Sequence, residues 1–154
     1  MATPTIEGKV AASVALATTG MNSLASGSLE LEAAFSNVQG DGAGGGYPMA
    51  YLVLVLAAVG SPFAANTAVD GWFLTEDDGS NYESGSSSIT PARPPDFVCP
   101  VIAQTAAQRI KVACFPPICA AIKPLIRNNG TGQALAATGN TLTLYPLTDQ
   151  IPSV

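Results

Sequence analysis

The chain contains no histidine, and only 11% of its 154 residues are charged. A typical soluble domain is about one-quarter charged. The first absence removes the commonest general base and the commonest nitrogen ligand for metals. A serine nucleophile would have to use a lysine base instead, and no Ser and Lys stand in a pattern that recommends them. The second absence leaves little to cover a free surface with. Either Gly, Ser, Thr and Asn cover it, or part of it is buried against neighbours.

Cysteine is scarce as well. Cys99, Cys114 and Cys119 cannot all pair within one chain, fall short of the four ligands a structural zinc takes, and show no CxxC spacing. They read as buried reduced thiols acting as small apolar residues, the alternative being a disulfide between Cys114 and Cys119 around the turn 115–118. The six basic residues, Lys9, Arg93, Arg109, Lys111, Lys123 and Arg127, form no dense run, and the net charge of −5 argues against nucleic acid as a partner. Long apolar runs are missing too. The longest, residues 49–59, ends at Gly60, Ser61 and Pro62 and is about half the roughly 20 residues that a spanning helix needs, so no membrane partner is expected. The N-terminus has neither the basic start nor the apolar stretch of a secretory signal, which points to synthesis in a cytoplasm. No catalytic residue, cofactor or metal ligand is expected.

What is present is a period of two. The 15 Gly and 12 Pro punctuate the chain too often for long helices. Val10, Ala12, Val14 and Leu16 alternate in a first candidate strand, although an Ala-rich helix competes there. Leu29, Leu31, Ala33 and Phe35 alternate with Glu30 and Glu32, which predicts a wet face for the carboxylates. Residues 50–58 are apolar on both faces, as in a central strand covered on both sides. In residues 69–75, Asp70, Trp72 and Leu74 face away from Val69, Gly71 and Phe73. Residues 97–105 read as a strand interrupted by Pro100, hence near an edge or a bulge. Residues 109–115 point Ile110, Val112 and Cys114 inward, with Arg109 and Lys111 outward. Residues 119–127 precede the turn 128–132, and Leu142 and Leu144 mark a last inward-facing strand over 140–145. About eight strands with turns every ten to fifteen residues predict one all-β domain over 1–154, an antiparallel β-sandwich and specifically an eight-stranded jelly roll. A short arm (about 1–9) and a Pro-containing tail (about 146–154) are expected at its ends.

Several motifs invite sharper readings. The acidic turn with Glu76, Asp77, Asp78, Asn81 and Glu83 clusters hard oxygens as a calcium site would, but lacks EF-hand spacing, so a solvated hairpin turn is expected. Glu30 and Glu32 imitate a catalytic pair only superficially. The glycine-rich stretch 39–46 lacks the Lys-Ser/Thr ending and following helix of a phosphate loop. Trp72 with Tyr82 and Tyr47 suggests a sugar-stacking platform, set against a role for Trp72 as a core or interface anchor. Asn129, Gly130 and Thr131 form a sequon better read as turn chemistry.

Three phrases are shared with a known group: the acidic D-G-x-N-Y turn at 78–82, the T-x-x-Q-R strand start at 105–109, and the strand-turn K-x-L-I-x-N-x-x-x-G-Q-A-L at 123–135. Through them the last two-thirds of the chain resembles small virion structural proteins of tailed bacteriophages. The resemblance implies an all-β, non-enzymatic head decoration or cement protein on the outer surface of the phage head, made in the bacterial host cytoplasm. Its partners would be the major capsid protein and other copies of itself. A neck or tail position and a glycan-binding module for host attachment are the alternatives.

Overall fold

A computed structural model describes residues 7–10, 12–37, 47–76, 78, 80–119 and 121–150, the side chains of 7–10 and 148–150 excepted. Its strands are β1 (Glu7–Val10), β2 (Val14–Ala17), β3 (Leu29–Leu31), β4 (Met49–Leu56), β5 (Thr67–Thr75), β6 (Phe97–Val101), β7 (Gln108–Cys114), β8 (Ile122–Asn129) and β9 (Thr141–Gln150). All pairings are antiparallel. A front sheet runs in the order β1/β2, β9, β4, β7, and a back sheet in the order β3, β8, β5, β6. β1 pairs with 147–150 of β9 and β2 with 142–144, both on the side away from β4, so they form one edge strand in two pieces. Each sheet is therefore four strands wide, and the two pack as a β-sandwich.

The period of two selects what lies between the sheets. Ala50, Leu52, Leu54, Leu56, Leu142 and Leu144 from the front meet Val69, Phe73, Phe97, Ile122 and Ile126 from the back, all fully or almost fully buried. Gly71 is required by this packing. A Cβ there would overlap the Leu125 carbonyl oxygen and sit 2.5 Å from Phe97 Cζ. Two prolines lie inside strands where the ladder loses little. Pro124 directs its carbonyl to the Glu32 N–H, past the end of β3, so its missing N–H falls where β3 has stopped. Pro146 lies opposite the break between β1 and β2.

All eight expected strands are found, with shifted ends. The predicted tail begins too early, because β9 continues through Pro146 to Gln150, and the predicted arm already contains β1 (Glu7–Val10) pairing with it. Residues 2–6 of the arm, 151–154 of the tail and the glycine stretch 39–46 lie outside the described residues.

The excursion between β5 and β6, residues 76–96, is more than a connection. It folds across the outer surface of the back sheet and closes a second small core of Leu29, Trp72, Leu74 and Leu125, with Leu31 and Tyr82 packed against it. Gly85 lies against Leu74 and Leu125, and Ser87 Oγ accepts the Leu31 N–H. Arg93 anchors the root: its guanidinium grips Glu83 in a two-point fork and reaches Asp96, while its carbonyl accepts the Trp72 indole N–H at 2.9 Å.

At the opposite end of the sandwich, buried amides tie the loops together. Asn140 Oδ1 accepts the Ala57 N–H, and its Nδ2 donates to Asn22 Oδ1 and the Ala136 carbonyl. Asn128 Nδ2 donates to the Leu24 and Gln133 carbonyls.

Candidate functional site

Several residues singled out by the sequence turn out to be committed to structure. Trp72 is 1% exposed. It is sealed beneath the excursion, with Arg127 lying 5.0 Å from its ring centroid. No sugar can stack on it, and the anchor reading is the one its packing fits. Tyr82 packs on the same small core with Lys123 over its ring, while Tyr47 sits elsewhere, its carbonyl held by Asn37.

The acidic turn is likewise occupied. Asp78 accepts from the Asn81 side-chain amide at 2.6 Å and from the backbone N–H groups of Asn81 and Ser80. These bonds, those from Asn81 foremost, hold its carboxyl below the usual aspartate range. Glu83 is bound to Arg93, and Asp77 lies outside the described residues. No group of three or more acids and thiols, among the described residues, stands close enough to hold a metal ion.

The expectation of a wet face for Glu30 and Glu32 is overturned. Leu29 and Leu31 face outward into the small core under the excursion, so alternation turns both glutamates toward the inter-sheet side at the sandwich edge, beside Gly20. Glu32 is half-buried and its Oε1 has no hydrogen-bond partner among the described residues. Burial first, and then the charge of Glu30, push its carboxyl above the usual glutamate value.

All three cysteines are free thiols. Burial pushes Cys99 and Cys114 up to about 12 in the main core, which makes them inert. Cys119 Sγ points to the Ala121 carbonyl rather than to Cys114. In the sequon, Thr131 is buried and donates to Asn128 Oδ1, and Asn129 Nδ2 donates to Asp70. Asp70 is itself buried and held by a two-point fork from Arg127. The shallow depression beside it, floored by Val98 and Pro100 and rimmed by Asn66 and Asn129, is lined by no ionisable group.

The surface that remains uncommitted is the outer face of the front sheet. Register assigns its rows: Tyr145, Tyr51 and Ala113; then Thr143, Val53 and Lys111; then Thr141, Val55 and Arg109. Strand β4 is central, as predicted; among the described residues no segment crosses its outer side, where Val53 is buried between its neighbours and Tyr51 and Val55 are half-buried. The face continues at one end onto Leu147 and Met49, and Phe115 follows directly after β7. Met49, Phe115 and nearby Ile118 are 43%, 71% and 53% exposed. Among the described side chains of this face there are two cations and no acid. Lys111 Nζ stands 3.8 Å over the Tyr51 ring centroid, an arrangement that keeps the ammonium extended along the sheet. An antiparallel sheet with one wet face normally alternates apolar-in with polar-out. Here the outward positions hold Tyr, Val, Thr, Ala and Met, and Lys111 and Arg109 are the charged residues among the described side chains. Each residue was visible in the sequence. Its signal was the absence of charge on both faces of 50–58, which reads equally well as a strand buried on both sides.

Against this geometry, the chain matches no family model, no curated protein and no solved structure. Its class is that of an antiparallel β-sandwich of two packed four-stranded sheets.

Proposed function

We propose that the chain is a non-enzymatic structural protein of a tailed-phage virion, a jelly roll that decorates and stabilises the capsid by binding the coat-protein lattice. The pairing supports the jelly-roll reading. With β1 and β2 taken as one edge strand, the eight strands pair as a nested hairpin: the edge strand with β9, β3 with β8, β4 with β7, and β5 with β6. A long hairpin rolled into two sheets pairs in this way, and the fold recurs in capsid and lectin domains.

The observation that carries the functional reading is the open outer face of the front sheet, with its exposed Met49, Phe115 and Ile118 at one end. Exposed apolar side chains on a free monomer invite aggregation, whereas in a particle they are closed by neighbours, and the burial drives association. The exposed end is the coat-facing surface in this reading. Neither nucleic acid nor membrane is a partner, and the protein is made in the host cytoplasm before it joins the outer surface of the head. The glycan-binding alternative loses Trp72, the residue it stood on.

The test is quantitative mass spectrometry of purified particles. A copy number in the hundreds is expected of a decoration protein. A single ring's worth of copies would move the protein to the neck or tail, and its absence from particles would refute the virion reading altogether.

A further inference from the structure

We propose that copies of this chain associate head-to-tail, the open face of the front sheet of one copy receiving the acidic excursion of the next. The partner follows from charge complementarity. The excursion 76–96 holds five of the chain's eleven acids and one of its six basic residues. That one, Arg93, is consumed by Glu83 and Asp96, and Lys123 beside the excursion stands over the Tyr82 ring as Lys111 stands over Tyr51 on the front face. Glu76 makes no ion pair among the described residues, and Asp78 is satisfied by amides rather than by a cation. The front face has the opposite sign: Arg109 and Lys111 are exposed, make no ion pair among the described residues, and have no described acid beside them.

The two surfaces lie on opposite sides of the sandwich, because the excursion covers the back sheet. They cannot meet within one chain or across a two-fold axis that pairs like with like. The contact is therefore heterologous, and it closes into a ring if its rotation allows, or else continues as a stack. Apolar area supplies the affinity: the excursion brings Ile89, 56% exposed at its tip, and the front face brings Tyr51. The charges set orientation and exclude the face-to-face arrangement, in which cations would oppose cations.

The experiment is sedimentation of the intact chain in dilute and in molar salt. Two charge-reversed variants accompany it, one with Arg109→Glu and Lys111→Glu, the other with Glu76→Lys, Ser80→Lys and Thr90→Lys. Circular dichroism confirms that each is folded. The wild type is expected to sediment well above its 15.5 kDa monomer mass and to dissociate on dilution. Each variant alone should be monomeric, and an equimolar mixture should recover association, because the reversed faces complement each other. A wild type that stays monomeric at sub-millimolar concentration overturns the proposal, as does association that both reversals leave unchanged, or reversed variants that the mixture fails to rescue. This contact forms in solution without a capsid, so its failure is separate from that of the virion reading, which is judged on purified particles.

Discussion

Truncating Arg93 to alanine tests the packing of the excursion most directly. Its Nε and Nη2 grip Glu83 at 2.6 and 2.8 Å, Nη1 reaches Asp96 at 2.6 Å, and Nη2 also meets the Phe73 carbonyl at 3.1 Å. An isolated surface ion pair is worth about 0.2–1 kcal/mol. Here one planar fork makes four bonds in a fixed geometry, and removing it leaves two carboxylates near each other without their cation. The side chain is 34% exposed, so solvent screens part of this. The cost expected after that discount is about 2–3 kcal/mol. For a chain of this size that lowers Tm by about 4–12 °C.

Trp72 reports where the loss falls. It is the single tryptophan, it lies under the excursion, and its indole N–H donates to the Arg93 carbonyl. An excursion that lifts in Arg93→Ala exposes the ring to water and moves its emission to the red before global unfolding. Arg93→Lys keeps the charge but loses the fork, so it should fall between the two. An Arg93→Ala variant that melts within about one degree of the wild type, with unshifted emission, would refute the view that this clamp holds the excursion down.

Glu32→Gln should stabilise the protein by about 1 kcal/mol at neutral pH, read from denaturant midpoints. The raised carboxyl makes the ionised form the penalised one, so the gain should fade as pH falls through the folded value and vanish below the ordinary value of 4.5; a gain that persists in acid contradicts the assignment. Gly71→Ala should cost about 1–3 kcal/mol, toward the upper end because one obstacle is the Leu125 backbone oxygen; urea denaturation measures it. Asn140→Ala leaves the Ala57 N–H unpaired, while Asn22 Oδ1 keeps the backbone N–H of residue 140 and the Ala136 carbonyl keeps the Ser23 N–H; it should lower stability by about 1–3 kcal/mol in a thermal melt. Phe115→Glu, at the exposed end of the front sheet's outer face, should change stability by less than about 1 kcal/mol yet sharply reduce incorporation into particles. Full incorporation would show that this face is not the docking surface.

Alternation along the strands was legible because it depends only on the pleat. Residues 108–114 and 141–147 present inward the residues the sequence assigns to the core. Alternation does not say which of two covered faces is the interior. In β3 the leucines are buried, as their chemistry demands, but against the excursion rather than against the front sheet, which sends Glu30 and Glu32 the other way. That outcome turns on the serine-rich segment 84–90, whose composition reads as an ordinary connection. Nothing in it foretells that Gly85 and Tyr82 will seal a second core over Trp72. The open face was hidden for the converse reason. Met49, Tyr51, Val53 and Val55 look like core residues, and only the sheet register shows that they face away from the interior, Met49 exposed, Tyr51 and Val55 half-buried and Val53 buried by its neighbours.

The scarcity of charge thus has a distribution, and the distribution has a physical consequence. On the back sheet the chain covers its own apolar face and places its acids on the cover. On the front sheet it leaves Tyr, Thr and Val outward, and among the described side chains of that face charge is confined to Arg109 and Lys111 near one margin. More charge on that face would make the free chain more soluble, but every buried ion would have to shed water when a neighbour docked, at several kcal/mol each unless perfectly paired. Hydroxyls and phenols bear that desolvation more cheaply, and two marginal cations suffice to orient an approaching acidic surface. In the proposed virion role, the deficit that removes the usual catalytic groups is the same deficit that would let a small sandwich be packed repeatedly against its neighbours.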